Sequence, residues 1–240
     1  VFLSLLHTTT FIQRGYAMKV IGINASPRGK ESRTRRLVEA VLSGAKEEGA
    51  KTDFIDIYSL DIKFCTACGA CYASGECTLF DDMPELFDRM LDADGIVIGA
   101  PNYIDSIPAP LKAVFDRLAD AIHCQMFRGK YGCSVCTAGG SNHDEIVRYL
   151  NHVLISLGAT AVGGVGAAVG SDPATLPKAE EEAARLGRTL VESIRGEHRF
   201  PEQEQIHDER QKYFSRLVKA NRDTWPHEYE WHVRMGWIEE

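Results

Sequence analysis

The stretch "MKVIGINASPRGKESRTRRLVEAVLSGAKEEGA", residues 18–50, decides how this chain folds. Its first eight residues, 18–25, form an apolar, β-branched run that predicts a buried strand. The apolar residues that follow have helical spacing and would share one helix face: Leu37, Val38, Val41, Leu42 and Ala45. Gly49 suits the end of that helix. The stretch therefore predicts a strand, a loop and a helix, which is the opening unit of an α/β protein.

The same alternation continues along the chain. Four further strands are predicted, at 51–60, 95–100, 131–140 and 160–170. Helices are predicted between and after them, at 83–94, 111–122, 144–158 and 176–194. Asp82 is predicted to be the N-cap of the helix at 83–94, with Pro84 and Glu85 in the first turn.

Strict strand–helix alternation implies a parallel sheet with helices on both faces. Five strands suit the flavodoxin-like, doubly wound order 2-1-3-4-5, with the remaining helices as a C-terminal extension. Ligands of such sheets bind beyond the carboxyl ends of the strands, so the loops at that edge are the candidate site.

The chain divides into three predicted parts. Residues 1–17 are interpreted as an N-terminal extension outside the fold, with a signal peptide as the alternative. Residues 18–195 form the flavodoxin-like domain, including a cysteine-rich loop at 64–80. The C-terminal tail, 196–240, carries Trp225, Trp231 and Trp237. Exposed tryptophan is costly, so the tail is expected to pack on its own domain or on a partner subunit, as an interface or a structural appendage.

Composition excludes some classes of function. The net charge of −7 disfavours a generic nucleic-acid binder, which needs a basic surface. No apolar run approaches the roughly 20 residues that span a bilayer, so no membrane partner is predicted. With 44% hydrophobic and 25% charged residues, the composition is that of a globular protein. Because a signal peptide is not the favoured interpretation of residues 1–17, we expect a cytoplasmic location.

Four of the seven cysteines lie in "CTACGACYASGEC", with the spacing C-x2-C-x2-C-x5-C: Cys65, Cys68, Cys71 and Cys77. Four thiolates this close favour a [4Fe–4S] cluster. Tetrahedral zinc is the alternative, although its cysteines usually come as two separated pairs. Disulfides are disfavoured in a reducing compartment, and free thiols are a third possibility. Cys133 and Cys136 lie on a predicted strand, point to opposite faces and are interpreted as buried hydrophobic residues. Cys124, near a predicted helix end, is interpreted in the same way.

The loop after the first strand is rich in cations and hydroxyls. Arg28, Lys30, Arg33, Arg35 and Arg36 lie close together, beside Ser26, Ser32 and Thr34. A strand-to-helix loop with these groups suits a phosphate monoester, and a solvated basic helix start is the alternative. The loop has neither G-x-x-x-x-G-K-[ST] nor G-x-G-x-x-G, so no nucleotide P-loop and no Rossmann dinucleotide site is predicted.

Two other loops leave the same edge, at 100–108 and 137–142. Tyr103 offers a flat apolar face, and Gly139 with Gly140 lets the backbone approach a planar ring. A phosphate at one loop and a ring between the other two describe a site for flavin mononucleotide (FMN). The alternatives are an ordinary loop aromatic and an ordinary glycine turn.

Together these motifs resemble the iron–sulfur flavoprotein family, a branch of the NADPH-dependent FMN reductases with a flavodoxin-like fold. The cysteine spacing matches the family's compact motif, "ASPRGKESRT" resembles its phosphate loop, and "APNYIDSIP" and "TAGG" resemble its ring-contacting loops. The resemblance covers about residues 18–195. It implies [4Fe–4S] ligation by Cys65, Cys68, Cys71 and Cys77. It implies FMN contacts at Ser26, Arg28, Ser32, Arg33, Thr34, Pro101, Asn102, Tyr103, Ile104, Asp105, Thr137, Ala138, Gly139 and Gly140.

The family implies an oxidoreductase that passes electrons between a reduced donor, NAD(P)H or ferredoxin, and a small-molecule acceptor. It also implies a homodimer or homotetramer, and no catalytic acid or base is predicted. One alternative is a cluster-free FMN-dependent NAD(P)H reductase of quinones. A non-catalytic electron carrier or redox sensor is the other.

Overall fold

The computed structural model describes residues 18–239, so the predictions for residues 1–17 lie outside the described residues. Five parallel strands form one sheet in the order β2-β1-β3-β4-β5, which confirms the flavodoxin-like prediction. The strands are β1 (Lys19–Asn24), β2 (Lys51–Asp56), β3 (Gly95–Pro101), β4 (Tyr131–Ala138) and β5 (Thr160–Ala168).

Helices cover both faces of this sheet and continue beyond it. The first six are α1 (Arg33–Glu47), α2 (Ala70–Ser74), α3 (Met83–Asp92), α4 (Ala109–Asp116), α5 (Ala119–His123) and α6 (His143–Leu157). The last three are α7 (Thr175–Ile194), α8 (Pro201–Ala220) and α9 (Pro226–Arg234). In the part of the chain that the structure describes, no helix is long and apolar enough to cross a bilayer.

The sheet separates two hydrophobic cores. One core lies under α3 to α6 and includes Ile21, Ile96 and Cys136. The other lies under α1 and α7 and includes Val97 and Cys133. Cys133 and Cys136 thus point to opposite faces, as predicted, and each is fully buried. Each large aliphatic side chain buried in this way contributes about 1.5–3 kcal/mol to stability.

The backbones of helices α1 and α7 are in close contact. A Cβ at Gly44 would lie 1.9 Å from the carbonyl oxygen of Ala184, and one at Gly187 would lie 2.0 Å from that of Val41. Only glycine permits this approach at either position. The contact fixes α1, and with it the loop that precedes α1 at the sheet edge.

Two local predictions were wrong, and a third was confirmed only in part. Strand β2 ends at Asp56, where the Asp56 carboxylate accepts from the N–H of Tyr58 and starts a 3-10 turn. The segment 111–122 is not one helix, because α4 ends at Asp116 and α5 starts at Ala119. Asp82 is the N-cap residue of α3, with Pro84 and Glu85 in the first turn, as predicted, but its side chain makes no capping hydrogen bond and instead accepts from the N–H of Asp61 at 2.8 Å.

Candidate functional site

The carboxyl ends of β1, β3 and β4 lie side by side in the sheet. Asn24 at the end of β1 is level with Gly99, and Pro101 at the end of β3 is level with Thr137. The three loops predicted to bind FMN therefore leave one edge next to one another. The structure brings together the fourteen residues predicted there, from three separate parts of the sequence.

Hydroxyl groups gather at the start of α1. Ser26, Ser32 and Thr34 are all buried. Ser32 is the N-cap of α1, since its Oγ accepts from the N–H of Arg35 at 3.0 Å. Thr34 Oγ1 lies 2.7 Å from Thr137 Oγ1, and this hydrogen bond ties the first loop to the third. An anion at this helix N-terminus would meet these serine and threonine hydroxyl groups and the positive end of the helix dipole.

The structure divides the basic residues of this loop. Arg35 pairs with Glu39 at 2.7 Å, and Arg36 pairs with Glu180 at 2.5 Å. Arg33 Nη1 donates to the carbonyl oxygen of Val169 at 2.9 Å, at the end of β5. The side chains of Arg35 and Arg36 thus face carboxylates on the helix surface rather than the sheet edge.

The loop after β3 forms a tight turn. Tyr103 and Ser106 exchange two backbone hydrogen bonds, at 2.9 and 3.1 Å. The two residues between them, Ile104 and Asp105, have φ of 52° and 56°. Non-glycine residues in this left-handed region are costly, and consecutive ones mark a turn that its surroundings hold in place. The turn presents Tyr103 half-exposed and Ile104 fully exposed at the sheet edge.

The loop after β4 supports this turn. Asn142 donates from Nδ2 to Asp105 Oδ1 at 2.6 Å, and Asn102 donates to the carbonyl oxygen of Ser141 at 3.0 Å. Between these contacts, Gly139 and Gly140 are exposed, and nothing lies within 4 Å of a Cβ built on either. The two loops form one rigid unit with open space beside their glycines.

Several buried polar atoms at this edge have no hydrogen-bond partner in the protein. They include Asn24 Oδ1 at the end of β1, Asn102 Oδ1 at the end of β3 and His143 Nδ1 at the start of α6. Buried polar atoms are nearly always satisfied in folded proteins, so these three point to a polar ligand. Together with the open glycines, they fit a flavin nucleotide.

The cysteine-rich loop is closed at its base by two carboxylates. Asp82 accepts from the N–H of Asp61, and Asp81 Oδ2 accepts from the N–H of Lys63 at 2.8 Å. Arg117 forms an ion pair with Asp81, and the two side chains are 1% and 0% exposed. Burial alone would raise the pKa of Asp81, but Arg117 and two backbone N–H groups hold the pKa below its usual value.

The top of this loop presents the thiols to solvent. Cys65, Cys68 and Cys77 are exposed, and Cys71 is half-buried in the short helix α2. Hydrogen bonds from the Ala70 backbone and the Thr78 hydroxyl lower the pKa of Cys68. Burial, and then the charge of Asp120, raises the pKa of Cys71 to about 11. Metal coordination would deprotonate such a thiol outright.

Two observations test whether this loop fits an iron–sulfur cluster. The guanidinium of Arg117 faces the thiol of Cys77, and its buried Nε and Nη2 have no hydrogen-bond partner. N–H donors beside the sulfur atoms of a cluster are a normal means of holding and tuning it. Within residues 18–239, no three of the four loop sulfurs lie within 4.8 Å of one another, so the thiols are not already arranged as a zinc tetrahedron, whose sulfurs lie about 3.8 Å apart. A donor set of four thiols in one loop suits an iron–sulfur cluster.

The C-terminal tail packs on the cysteine-rich loop of its own chain. The Tyr72 ring lies 5.0 Å from the ring of Trp225, and 5.0 Å from that of His123. His123 Nδ1 lies 3.0 Å from Glu228 Oε1, in α9. Helix α8 is attached to the sheet domain as well, since His207 Nε2 lies 3.1 Å from the carbonyl oxygen of Ala159.

Sequence reasoning missed two residues that shape the site. Arg117 carries no local signal, because its partner Asp81 is 36 residues away in sequence. Tyr58 was placed in a strand, yet it lies in the 3-10 turn after β2, close enough to Tyr103 for the two to interact electrostatically. The sequence offered one clue to the role of Asp81, which is its position in "DDM", residues 81–83, shortly after the last loop cysteine.

Comparison with known proteins bears on this site. Residues 18–174 match the family described as NADPH-dependent FMN reductase. The chain is 31% identical over 217 residues to an iron–sulfur flavoprotein of Archaeoglobus fulgidus, which covers 87% of this chain and 97% of that protein. It is 32% identical over 192 residues to the iron–sulfur flavoprotein MJ1083 of Methanocaldococcus jannaschii, covering 74% and 98%.

Among solved structures, an NAD(P)H:quinone oxidoreductase from Methanothermobacter marburgensis is similar in fold, with a TM-score of 0.61 at 22% identity. The alignment covers 77% of this chain and 100% of that one. The sheet, its loop edge and these matches define a flavodoxin-like flavoprotein with oxidoreductase activity. The chain belongs to the NADPH-dependent FMN reductase family, in the branch similar to the iron–sulfur flavoproteins. This confirms the resemblance seen in the motifs and the prediction of a flavin-dependent enzyme.

Proposed function

We propose that this protein binds FMN at the sheet edge and one [4Fe–4S] cluster in the cysteine-rich loop, and transfers electrons between a reduced donor and a small-molecule acceptor. The observation that carries the proposal is the set of four cysteines in one loop, with the buried guanidinium of Arg117 beside Cys77. The curated relatives named iron–sulfur flavoprotein support it. Flavin exchanges a hydride or single electrons, and a cluster carries one electron at a time.

In the proposed flavin site, Ser26, Ser32 and Thr34 donate hydrogen bonds to the phosphate, and Arg28 and Arg33 supply positive charge around it. The helix α1 dipole adds to this attraction. Arg33 keeps its contact with Val169, so it brings charge near the phosphate while also closing the loop against β5.

The ring is proposed to lie between the two linked loops. Residues 101–105 supply the Tyr103 face and the Asn102 oxygen, while Thr137, Ala138 and the two glycines supply backbone N–H groups and space. The hydrogen bond from Asn142 to Asp105 fixes the separation of the two loops before the ring binds. This preorganisation lowers the entropic cost of binding.

In the proposed cluster site, Cys65, Cys68, Cys71 and Cys77 each ligate one iron. Arg117 donates toward the sulfur atoms near Cys77 and offsets part of the negative charge of four thiolates. The ion pair with Asp81 keeps the guanidinium in that position. The C-terminal tail shields the Cys71 side of the loop through the contact of Tyr72 with Trp225.

A nicotinamide donor follows from the family, and ferredoxin is retained as an alternative donor. We also propose the division into a flavin domain at 18–195 and a tail at 196–240, and assembly as a homodimer or homotetramer. The cytoplasmic location stays a prediction.

Elemental analysis of anaerobically purified protein tests the proposal. We expect about four iron atoms, four acid-labile sulfides and one FMN per chain. Cys68→Ser is expected to remove most of the iron and keep the FMN, whereas the control Cys133→Ala, in the buried strand β4, is expected to keep both. Flavin without iron or sulfide in the wild type would refute the cluster.

A second candidate function is a cluster-free reductase of quinones. It is favoured by 33% identity over 106 residues to an FMN-dependent NADH:quinone oxidoreductase of Stenotrophomonas maltophilia, which covers 43% of this chain. This candidate predicts rapid NADH oxidation with quinone and equal rates for Cys68→Ser and wild type. A non-catalytic electron carrier predicts no steady-state turnover.

A further inference from the structure

A second group of metal-ligating side chains lies beneath the cysteine-rich loop, apart from its four thiols. Asp120 in α5 and Cys124 at its C-terminal end are one helical turn apart, and Sγ lies 3.8 Å from Oδ1. His227 in α9 places Nε2 3.7 Å from Asp120 Oδ2. All three ligand atoms lie within 4.8 Å of one another, the only such trio within residues 18–239.

The His227 ring is held in this position without a hydrogen bond at Nε2. This atom is buried and lies 3.7 Å from Asp120 Oδ2, beyond hydrogen-bond distance. A neutral imidazole there can offer the lone pair of Nε2 to a metal ion. Gly75 of the cysteine-rich loop covers the ring, since a Cβ there would lie 2.6 Å from Cε1, and Gly75 has a φ of +76°. The loop, α5 and α9 thus enclose a lone-pair donor aimed at a carboxylate.

The charges around this trio favour a cation. Glu228 follows His227 and is fully buried, and it raises the pKa of the buried Asp120 after the effect of burial itself. Glu228 has His123 as its hydrogen-bond partner, at 3.0 and 3.2 Å. Burial raises the pKa of Cys124 and lowers that of His227, and the positive charge of Arg234, in α9, acts to lower both pKa values by electrostatic interaction alone. Two carboxyl groups buried this close are costly when both are ionised, so they either share a proton, which the raised pKa of Asp120 reflects, or bind a cation.

We propose that Asp120, Cys124 and His227 bind one zinc ion, a structural site that fastens the C-terminal helix α9 to the flavin domain. Carboxylate, thiolate and imidazole together are a normal zinc ligand set. In a zinc tetrahedron ligand atoms of these types lie about 3.3–3.6 Å apart. Here Cys124 Sγ lies 3.8 Å from Asp120 Oδ1, His227 Nε2 lies 3.7 Å from Asp120 Oδ2, and all three ligand atoms lie within 4.8 Å of one another, so the site has to contract by up to about 1 Å when it binds the ion. Water or Glu228 completes the four ligands.

Zinc binding involves no change in oxidation state. The Cys124 thiol loses its proton to solvent as its sulfur bonds to the ion, and His227 donates its existing lone pair. Because a cysteine must lose its proton to bind zinc, affinity should fall as the pH is lowered. This site goes beyond the proposed electron transfer, because its ligands are separate from the four loop cysteines.

Zinc and iron are measured separately on the same holoprotein, purified anaerobically from zinc-supplemented medium. We expect about one zinc per chain, and zinc-edge X-ray absorption with one sulfur near 2.3 Å and nitrogen or oxygen near 2.0 Å. His227→Gln and Cys124→Ala are each expected to lower zinc occupancy at least tenfold while iron and FMN stay unchanged. His198→Gln, which alters an exposed histidine, is the matched control and is expected to keep the zinc.

Three results would overturn the proposal. They are zinc below about a tenth of an equivalent in wild type, zinc retained by His227→Gln, and four sulfur neighbours around zinc. The last would place the ion in the cysteine-rich loop and refute the iron cluster as well. Wild-type protein that contains no iron but shows zinc with one sulfur neighbour would refute only the proposed function, because the zinc site would still be present. Asp120→Asn tests the third proposed ligand independently. Retained FMN and an unchanged circular dichroism spectrum show that each variant is folded.

Discussion

Replacing Arg117 with methionine is expected to destabilise the protein more than any exposed ion-pair substitution. Arg117 and Asp81 are 1% and 0% exposed, so the change leaves a buried carboxylate without its cation. Asp81 would keep two backbone donors, the N–H groups of Lys63 and Met83, at 2.8 and 3.2 Å. These do not neutralise its charge, and methionine cannot replace the guanidinium donors.

Removing one partner of a buried ion pair typically costs about 3–5 kcal/mol. In a protein of this size, each kcal/mol lowers the melting temperature by about 2–4 °C, which gives a decrease of about 6–20 °C. Arg89→Met is the matched control, because Arg89 pairs with Asp53 at 2.6 Å with side chains 37% and 57% exposed. Exposed pairs contribute about 0–1 kcal/mol, so its decrease should stay below about 4 °C.

Thermal melts by circular dichroism at one fixed heating rate measure both variants, at equal iron and FMN content. Equal decreases for Arg117→Met and Arg89→Met would refute the reasoning, because burial would then make no difference to the pair. A decrease in melting temperature below about 4 °C for Arg117→Met would also refute the reasoning, and would show that the Asp81 carboxylate reaches water.

The pH dependence gives an independent check. In the wild type the pKa of Asp81 lies below its unfolded value of about 3.9. Its stabilising contribution is therefore complete above pH 3.9 and is lost only as the pH falls through the lower folded value. In Arg117→Met, burial raises the pKa of Asp81 instead, so stability falls as the pH rises through that value. The difference in stability between variant and wild type should therefore be larger at neutral pH than near pH 4, just above the unfolded pKa of about 3.9.

Three further substitutions test the packing and the flavin edge. Gly187→Ala places a Cβ 2.0 Å from the carbonyl oxygen of Val41 and should lower stability by about 1–3 kcal/mol, measured as a lower melting temperature. Gly140→Ala meets no atom within 4 Å and should leave the melting temperature of the FMN-free protein unchanged while weakening FMN binding in a fluorescence titration. Thr34→Val removes the partner of the buried Thr137 hydroxyl, 2.7 Å away, and should cost about 1–3 kcal/mol of stability. The double variant Thr34→Val with Thr137→Val should recover part of that loss. An unchanged melting temperature for Thr34→Val alone would contradict this expectation.

Local patterns in the sequence were sufficient for the sheet and for the loops at its edge. The run 18–25 and the apolar face of α1 follow from residue spacing alone, because each element buries one side. The sequence did not predict the break after α4. Arg117 fits the helical spacing, yet α4 stops before it and its side chain turns to Asp81, far away in sequence.

The same limit applies to the polar sites. Asp82 looked like a helix cap, but its side chain bonds to Asp61 across the base of the cysteine-rich loop. Asp120 and Cys124 show helical spacing, but His227 reaches them only because α9 folds back over α2. Contacts between distant segments depend on tertiary packing, which local spacing does not encode.

The packing of the tail over the cysteine-rich loop has a consequence for maturation in the cell. Chains emerge from the ribosome from the N-terminus onward, so the loop at 64–80 is complete long before the helix at 226–234 exists. During that interval Tyr72 and Cys71 have no cover, whereas Cys65, Cys68 and Cys77 stay exposed in the folded chain as well. For the proposed cluster, iron and sulfide would therefore reach Cys71 most freely before Trp225 packs on Tyr72, and the order of synthesis places that interval first.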